Sequence, residues 1–344
     1  MDLRNYVNSA PSILTIAPTY KCTAACKECC FRCTPKVEQI LETDKILQYI
    51  DEAVESFPSL KIMVLTGGEC FLVAKDIPLM ISRAKSYGLM TRVVTNGFWA
   101  TSYEVAIKKM RPLVDAGLTE LNISTGDNHQ EYVPFEYVVN GFKAAYDLGI
   151  RSMAISVEAP PNADFTSEVV KNHPFLSSLI NEGVLFLIDA SWMRFSTDEC
   201  AYEGAKSFLI ENFETHKPCK HIFDNIAINP YSQMLACCGL TVEYNKYLKL
   251  GKISDDSSIS DLYYSQFSDL FKFWLYVDGP AVIYDKVADM RKIEKKEFPH
   301  ECQYCIELVH DEDNIDIIKK LLEKELPGTI FRHSIRNTSL KINK

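Results

Sequence analysis

No apolar run in the sequence approaches the roughly 20 residues that a helical membrane span needs, and no stretch is rich in lysine and arginine. The first absence excludes a membrane-spanning helix. The second, with a net charge of −9 over 344 residues, argues against a sequence-independent grip on nucleic acid or an anionic membrane, and mildly favours a basic substrate. Internal repeats and low-complexity segments are also missing. The opening MDLRNYVNSAPS lacks the basic and apolar regions of a signal peptide, so a cytoplasmic protein is expected. Twelve cysteines in that reducing compartment are not expected to form a disulfide framework, which leaves metal ligation or thiol chemistry.

What is present is a rhythm. Short β-branched runs, each followed by a longer segment of helical periodicity, occur at residues 13–18, 61–68, 91–97, 119–125, 151–158 and 184–191. The pattern predicts a parallel α/β sheet. Between two of these runs, PFEYVVNGFKAAYDLG places Phe135, Val138, Val139 and Phe142 on one helical face and ends at Gly149, as a core-facing crossover helix would. The predicted strands end in Thr66-Gly67-Gly68-Glu69, Thr95-Asn96-Gly97, Ser124-Thr125-Gly126-Asp127 and Ser156-Val157-Glu158. Ligands bind at the carboxyl ends of the strands in such sheets, so these tips should line one mouth. Beyond about residue 200 the text changes to a predicted hairpin, IFDNIAINPYSQMLACCG, and then to helical segments. A composition that is 47% hydrophobic suits one large domain with an appendage, and the stretch after Pro327 reads as a loose tail.

The stretch KCTAACKECCFRC follows the first predicted strand and holds five cysteines in thirteen positions. Cys22, Cys26 and Cys29 have the spacing C-x3-C-x2-C, short enough for one loop to aim three thiolates at a single iron–sulfur cluster. Such a spacing arises by chance in roughly one chain in 70 of this cysteine content. A structural zinc site with Cys33 as fourth ligand is the alternative, but a closed tetrahedron leaves the Gly-Gly-acid tip on the next strand unexplained.

The cysteine loop, the Gly67-Gly68-Glu69 tip and the tips at Asn96, Ser124 and Ser156 together resemble the radical S-adenosylmethionine (SAM) enzymes over roughly residues 10–195. The resemblance implies a partial (β/α)6 TIM-like barrel. It also implies that Cys22, Cys26 and Cys29 hold three irons of a [4Fe-4S] cluster whose fourth iron is chelated by SAM. Three protein ligands leave the open position that a catalytic metal site requires. Cys30 and Cys33 are then spare loop thiols. By the same resemblance Gly67, Gly68 and Glu69 hold the methionyl amino group, and Thr95, Asn96, Ser124, Asp127, Ser156 and Glu158 sit where ribose and carboxylate contacts are made. Asp127 is equally a turn or helix-cap residue. The position before the third cysteine, often aromatic in the family, is Glu28 here, and Phe31 would have to compensate on the adenine.

Cys219, Cys237, Cys302 and Cys305 form a second set, in CKHIF, in the predicted hairpin and in CQYC. Their order resembles the SPASM or twitch appendage of radical SAM maturases, which implies one auxiliary [4Fe-4S] cluster in a small α+β unit. Zinc suits four sulfurs with a C-x2-C pair equally well. The glycine usual five residues before the hairpin's second cysteine is Ser232 here, and no further cysteines follow Cys305 for another cluster. The expected boundaries are 1–205 for the barrel, 206–327 for the appendage and 328–344 for the tail.

Cys238 and Cys70 are candidate hydrogen-atom donors, and buried core thiols otherwise. His129 and Arg194 fall near predicted strand ends as candidate SAM or substrate contacts, with Trp192 and Met193 as cavity wall. The resemblance implies reductive cleavage of SAM to a 5′-deoxyadenosyl radical that takes a hydrogen atom from a substrate. The appendage points to a ribosomally made peptide, matured by crosslinking, thioether formation or epimerisation. A dehydrogenase or epimerase of a sugar, aminoglycoside or amino-acid derivative is the other enzymatic reading, and a non-catalytic metal or redox module is the reading from another class. A reductant such as flavodoxin or ferredoxin is implied. Only about 12 residues precede the first strand, so peptide recognition is expected to fall to a separate protein or another surface.

Overall fold

A computed structural model describes residues 3–7, 10–27, 29–159, 163–191 and 215–342. The chain divides into two compact units that interleave in sequence. One is Ser12–Thr197 with Ala227–Ser232, and the other is Met1–Pro11 with Asp198–Ile226 and Gln233–Lys344.

The first unit is an alternation of strands and helices. Its strands are β1 (Ile13–Ile16), β2 (Ile62–Leu65), β3 (Met90–Thr95), β4 (Glu120–Gly126), β5 (Ser152–Ala159) and β6 (Leu185–Ser191). All five adjacent pairings are parallel, in the order β6-β5-β4-β3-β2-β1, so the sheet is open like a partial TIM barrel. The crossovers carry α1 (Thr43–Ser56), α2 (Ile77–Ser86), α3 (Tyr103–Ala116), α4 (Asp127–Gln130), α5 (Phe135–Asp147), α6 (Ser167–Asn172) and α7 (Pro174–Asn181). Each strand predicted from sequence is present, within three residues at either end. Helix α5 buries Val138, Val139 and Phe142 as its period requires, and the chain leaves it through Gly149 at φ +98°. Along the register Ile16, Leu65, Val93, Leu121 and Met153 fall on one face of the sheet together with Met63, Ile123 and Ile155, and all eight are fully buried, whereas the other face carries the half-buried Arg92, Asn122, Ser124 and Ser156.

The chain passes from one unit to the other within β7 (Asn225–Ile228). In the first unit, the Ile228 carbonyl accepts the Ala17 N–H at 2.9 Å, just past β1. The second unit has an antiparallel pair, β8 (Gln233–Leu235) with β9 (Lys249–Lys252), bulged between Met234 and Leu235. Its described helices are α8 (Ile259–Ser265), α9 (Leu270–Asp278), α10 (Pro280–Arg291), α11 (Glu301–His310) and α12 (Glu312–Ile342).

The stretch after Pro327, expected to be loose, is instead the continuation of α12 to Ile342. A proline in a helix interior costs about 3 kcal/mol, and side chains beyond it offset that cost. Arg332 makes a two-pronged pair with Asp278, Nε to Oδ1 at 2.8 Å and the terminal nitrogen to Oδ2 at 2.6 Å. His333, 4% exposed, lies against the rings of Phe273 and Tyr276. Sequence reading weighed the proline and could not see partners more than fifty residues away.

Among the described residues no helix is long and apolar enough to cross a membrane. Trp192, Met193, Arg194 and Glu28, to which the sequence assigns cavity or cofactor roles, lie outside the described residues.

Candidate functional site

The loop that follows β1 has a small core of its own. Tyr20, Cys22, Ala24 and Cys33 are buried with Ala17, and Cys26, Cys29, Phe31 and Val37 are packed against them. Tyr20 stacks on Phe31 with ring centres 5.5 Å apart. Phe31, the aromatic expected to serve adenine, therefore has one face on Tyr20. The loop closes where the Cys22 N–H donates to the Thr34 carbonyl at 3.2 Å, and the Tyr132 hydroxyl donates to the Ala25 carbonyl at 3.0 Å.

These contacts bring Cys22, Cys26 and Cys29 into one electrostatic neighbourhood. Burial pushes Cys22 up to about 11 and Cys26 up to about 12; Glu69 and Cys29 add to the rise of the first, Cys29 and Cys22 to that of the second. Cys29 is pulled well below the ordinary thiol value because Cys30 and then Cys33 donate S–H hydrogen bonds to it. The two thiols expected to be spare thus touch the third ligand. Glu158, at the end of β5, raises Cys26 further and has its own carboxyl raised by burial. Cys22 and Cys26 are costly as free thiolates in this buried loop, and a bound cation relieves that cost.

The Gly67-Gly68-Glu69 tip braces this loop. A Cβ added to Gly67, at φ +121°, would fall 2.3 Å from the Thr19 carbonyl oxygen, and one added to Gly68 would fall 2.3 Å from that of Lys21. Without side chains, the Gly68 N–H reaches Thr19 O at 2.8 Å and the Glu69 N–H reaches Lys21 O at 2.9 Å. The close approach is made to the backbone that enters the cysteine loop.

Glu69 is fully buried, and both its oxygens are engaged within the chain. Oε1 accepts from the Phe71 N–H at 2.9 Å, Oε2 from the Asn96 N–H at 2.8 Å, and the Thr95 hydroxyl donates to both. Burial outweighs these donors and lifts the carboxyl to about 7. A carboxylic acid raised in this way binds its proton more tightly in the folded chain than in the unfolded one. Its contribution therefore falls as pH rises from about 4.5 to about 7. Glu69→Gln is expected to remove that part of the slope in urea unfolding measured across this range. It should also cost about 1–3 kcal/mol, because an amide –NH2 must then face either the Phe71 or the Asn96 N–H and leave it unsatisfied.

The other tips are used unequally. Ser124 and Ser156 lie opposite each other in the β4–β5 register, and the Ser156 hydroxyl donates to Asn122 Oδ1 at 3.4 Å. Asp127 accepts the Asp164 and Phe165 N–H groups at 3.0 and 2.8 Å, so both its oxygens close a loop. His129 Nδ1 stands 3.6 Å from Glu158. Thr125 Oγ1, near the end of β4 on the face of Leu121 and Ile123, and Gln130 Nε2, at the end of α4, are buried without a hydrogen-bond partner. Cys70 is fully buried and its thiol donates to the Val94 carbonyl at 3.2 Å.

In the second unit, Cys219, Cys237, Cys302 and Cys305 converge. Burial raises all four thiols, and Cys219 adds to the rise of each of the others. A Cβ on Gly239 would lie 3.1 Å from Cys302 Sγ and 3.4 Å from Cys237 Sγ, so a side chain there would enter the space between the sulfurs. Cys302 lies in the first turn of α11, where negative charge is favoured, and Cys305 follows at the start of the second. His300 caps that turn by accepting the Cys302 N–H at 3.0 Å. The Thr241 hydroxyl donates to the Cys302 carbonyl at 2.8 Å, and Asn245 Nδ2 lies 3.6 Å from Cys305 Sγ. Gly239, Thr241 and Asn245 carry no motif, and sequence reading missed them. Among the described residues no three His, Cys, Asp or Glu side chains are close enough to hold a single metal ion. Cys238 is half-buried and accepts a hydrogen bond from Asn225 Nδ2 at 3.2 Å.

Ser232, at the position where the family resemblance leads one to expect glycine, adopts φ +58° and is 5% exposed. The position demands the left-handed conformation whichever residue fills it. Ser232→Gly relieves roughly 1–2 kcal/mol of strain and gives back about 0.4–1 kcal/mol through the freer unfolded chain. A net gain, seen as a higher denaturation midpoint with an unchanged m-value, is expected.

Comparison with known proteins agrees with this geometry. Residues 16–160 match the Radical SAM superfamily. A Bacillus subtilis (strain 168) protein named for peptide biosynthesis, YydG, is 25% identical over 120 residues, which cover 35% of this chain and 37% of YydG. The match thus spans little more than a third of that relative. Two solved structures share the fold. "Native anSMEcpe with bound AdoMet and Cp18Cys peptide" has 13% identity, a TM-score of 0.52 and coverage of 90% of this chain and 99% of that one. "Native anSMEcpe with bound AdoMet" has 12% identity, a TM-score of 0.51 and coverage of 94% and 100%. A parallel open sheet, a three-cysteine loop braced by the next strand and the family match all concern the same stretch: the chain carries a radical SAM domain.

Proposed function

We propose that the protein is a radical SAM enzyme that modifies a peptide. The observation that carries this reading is the loop after β1, where Cys22, Cys26 and Cys29 gather beside Glu158 and the strand tips. Those three cysteines would hold a [4Fe-4S] cluster, and SAM would take its remaining position. Together they supply one-electron reduction and hydrogen-atom abstraction. The chain's own part is to brace the loop through Gly67, Gly68 and Glu69 and to bury the thiols. Ser124, Ser156 and Glu158 are the tip residues proposed to meet SAM, while Thr95 and Asp127 serve mainly to hold the tips in place.

A peptide substrate is supported by the likeness to YydG, named for peptide biosynthesis, and by the fold shared with a structure that holds AdoMet and a peptide. The second unit is read as an auxiliary-cluster appendage over 206–327. The cluster reading rests on the order of the four cysteines and on the family match of the first unit, with zinc as the alternative for four sulfurs that include a C-x2-C pair. Of the two candidate hydrogen-atom donors, Cys238 is the better supported, since Cys70 is sealed in the core. A flavodoxin- or ferredoxin-like reductant, a separate peptide-binding partner and a cytosolic location complete the reading.

The test is anaerobic reconstitution with iron and sulfide, then dithionite and SAM. 5′-Deoxyadenosine should form, and iron should reach about eight atoms per chain. With a precursor peptide in D2O, deuterium uptake marks epimerisation and loss of two hydrogens marks crosslinking. No 5′-deoxyadenosine from iron-loaded protein would overturn the enzymatic reading.

A further inference from the structure

The two thiol sets contain the same local device. At the tip of β3, Asn96 is 5% exposed; its Oδ1 accepts the Phe98 N–H at 3.0 Å, and its Nδ2 lies 3.6 Å from Cys22 Sγ and 3.1 Å from Thr23 Oγ1. In the second unit, Asn245 is fully buried; its Oδ1 accepts the Tyr247 N–H at 3.0 Å, and its Nδ2 lies 3.6 Å from Cys305 Sγ. In both, the amide oxygen is fixed by the backbone N–H two residues on. That bond settles the orientation of the amide, so the –NH2 end must face the sulfur. A separation of 3.6 Å is within reach of an acceptor as large as sulfur. The backbone N–H groups of Ala24 and Gly239 also point at ligand sulfurs, at 3.4 and 3.5 Å, but no side-chain substitution can remove them.

We propose that Asn96 and Asn245 are positioning residues that set reduction potentials, each by donating an N–H to a sulfur that ligates a cluster, Cys22 in one unit and Cys305 in the other. The Asn96 half rests on the three-cysteine loop holding the first cluster, and the Asn245 half on the second thiol set holding another. Reduction places additional negative charge on the cluster and its sulfur ligands. A donor at the sulfur stabilises the reduced form and raises the potential. Asn96 is thereby assigned to the cluster sulfur and not to the ribose or carboxylate of SAM.

Two substitutions at each position separate this role from a merely structural one. Serine preserves a short side chain able to make the local turn but cannot reach the sulfur, and aspartate preserves the shape while turning an oxygen toward it. The measurement is an EPR-monitored redox titration of the full-length, reconstituted protein. The first cluster is recognised by the change of its signal on adding SAM, and the second is read alone in a Cys22/Cys26/Cys29→Ala background. Midpoint potentials should fall in the order asparagine, serine, aspartate at each site, with iron content and SAM affinity near wild type.

Unchanged potentials in iron-loaded variants would overturn the proposal. Weakened SAM binding at an unchanged potential would overturn the Asn96 half and return that residue to SAM. Loss of iron from both variants at a site would assign the asparagine there to holding the loop together. Wild-type protein loading only the first cluster sinks the auxiliary-cluster reading and the Asn245 half together, and leaves the Asn96 half to stand or fall on its own titration.

Discussion

Replacing Cys22, Cys26 and Cys29 together by alanine is expected to remove about four iron atoms per chain and to abolish 5′-deoxyadenosine formation, with the fold retained. Thiolates are the only groups in this loop soft enough to hold iron–sulfur, so no residue can stand in for all three. Cys30 and Cys33 are the nearest substitutes, and their contacts with Cys29 make a single replacement an ambiguous experiment. The triple variant removes that ambiguity. Its structural cost is modest: the Ala24 N–H and the Asn96 amide lose a sulfur acceptor at Cys22, and the Cys33 N–H loses one at Cys29. Each lost bond costs about 1 kcal/mol. Circular dichroism should be unchanged, and any iron left should belong to the second thiol set. SAM consumption equal to wild type would mean that the loop is not the site.

Much of the fold can be read from local pattern. Alternating β-branched runs and helical periods mark β1 to β6, and the face of α5 follows from Val138, Val139 and Phe142 alone. Such features depend on residues within one or two turns of each other, where periodicity carries the information. The passage of α12 through Pro327 depends instead on Asp278, fifty-four residues before Arg332. The site divides along the same line. The spacing of Cys22, Cys26 and Cys29 is visible because all three lie in one loop. That Asn96 is aimed at Cys22, seventy-four residues earlier, is a property of how β3 lies beside the chain leaving β1, and no local signal reports it. Glu69 shows the limit most plainly. Its place in a Gly-Gly-acid tip suggests a ligand contact, whereas its oxygens are engaged by Phe71, Thr95 and Asn96. Ser232 is the opposite case: a missing glycine flagged a backbone demand that the φ of +58° displays.

The brace between β2 and the cysteine loop supplies the second large effect. A methyl group at Gly68 would lie 2.3 Å from the Lys21 carbonyl oxygen, 2.7 Å from its carbon and 2.8 Å from the Tyr20 carbonyl carbon. All three are backbone atoms, so no side-chain rotation can make room. Gly68→Ala must therefore push the β2 tip away from residues 19–21, breaking the Gly68-to-Thr19 and Glu69-to-Lys21 hydrogen bonds that hold the entrance to the loop. Overpacking of this kind costs about 1–3 kcal/mol, too little to unfold a domain with an intact sheet but concentrated where the thiols must converge. Iron uptake by the first thiol set and 5′-deoxyadenosine formation should fall together, while the second set loads normally. Gly88→Ala is the matching control. Gly88 has φ +80° with nothing within 4 Å of the added carbon, so that substitution brings strain of about 1–2 kcal/mol without crowding. It should lower the denaturation midpoint and leave iron uptake unchanged. Wild-type iron uptake in Gly68→Ala, or an equal loss in Gly88→Ala, would show that the close approach at β2 does not govern the loop.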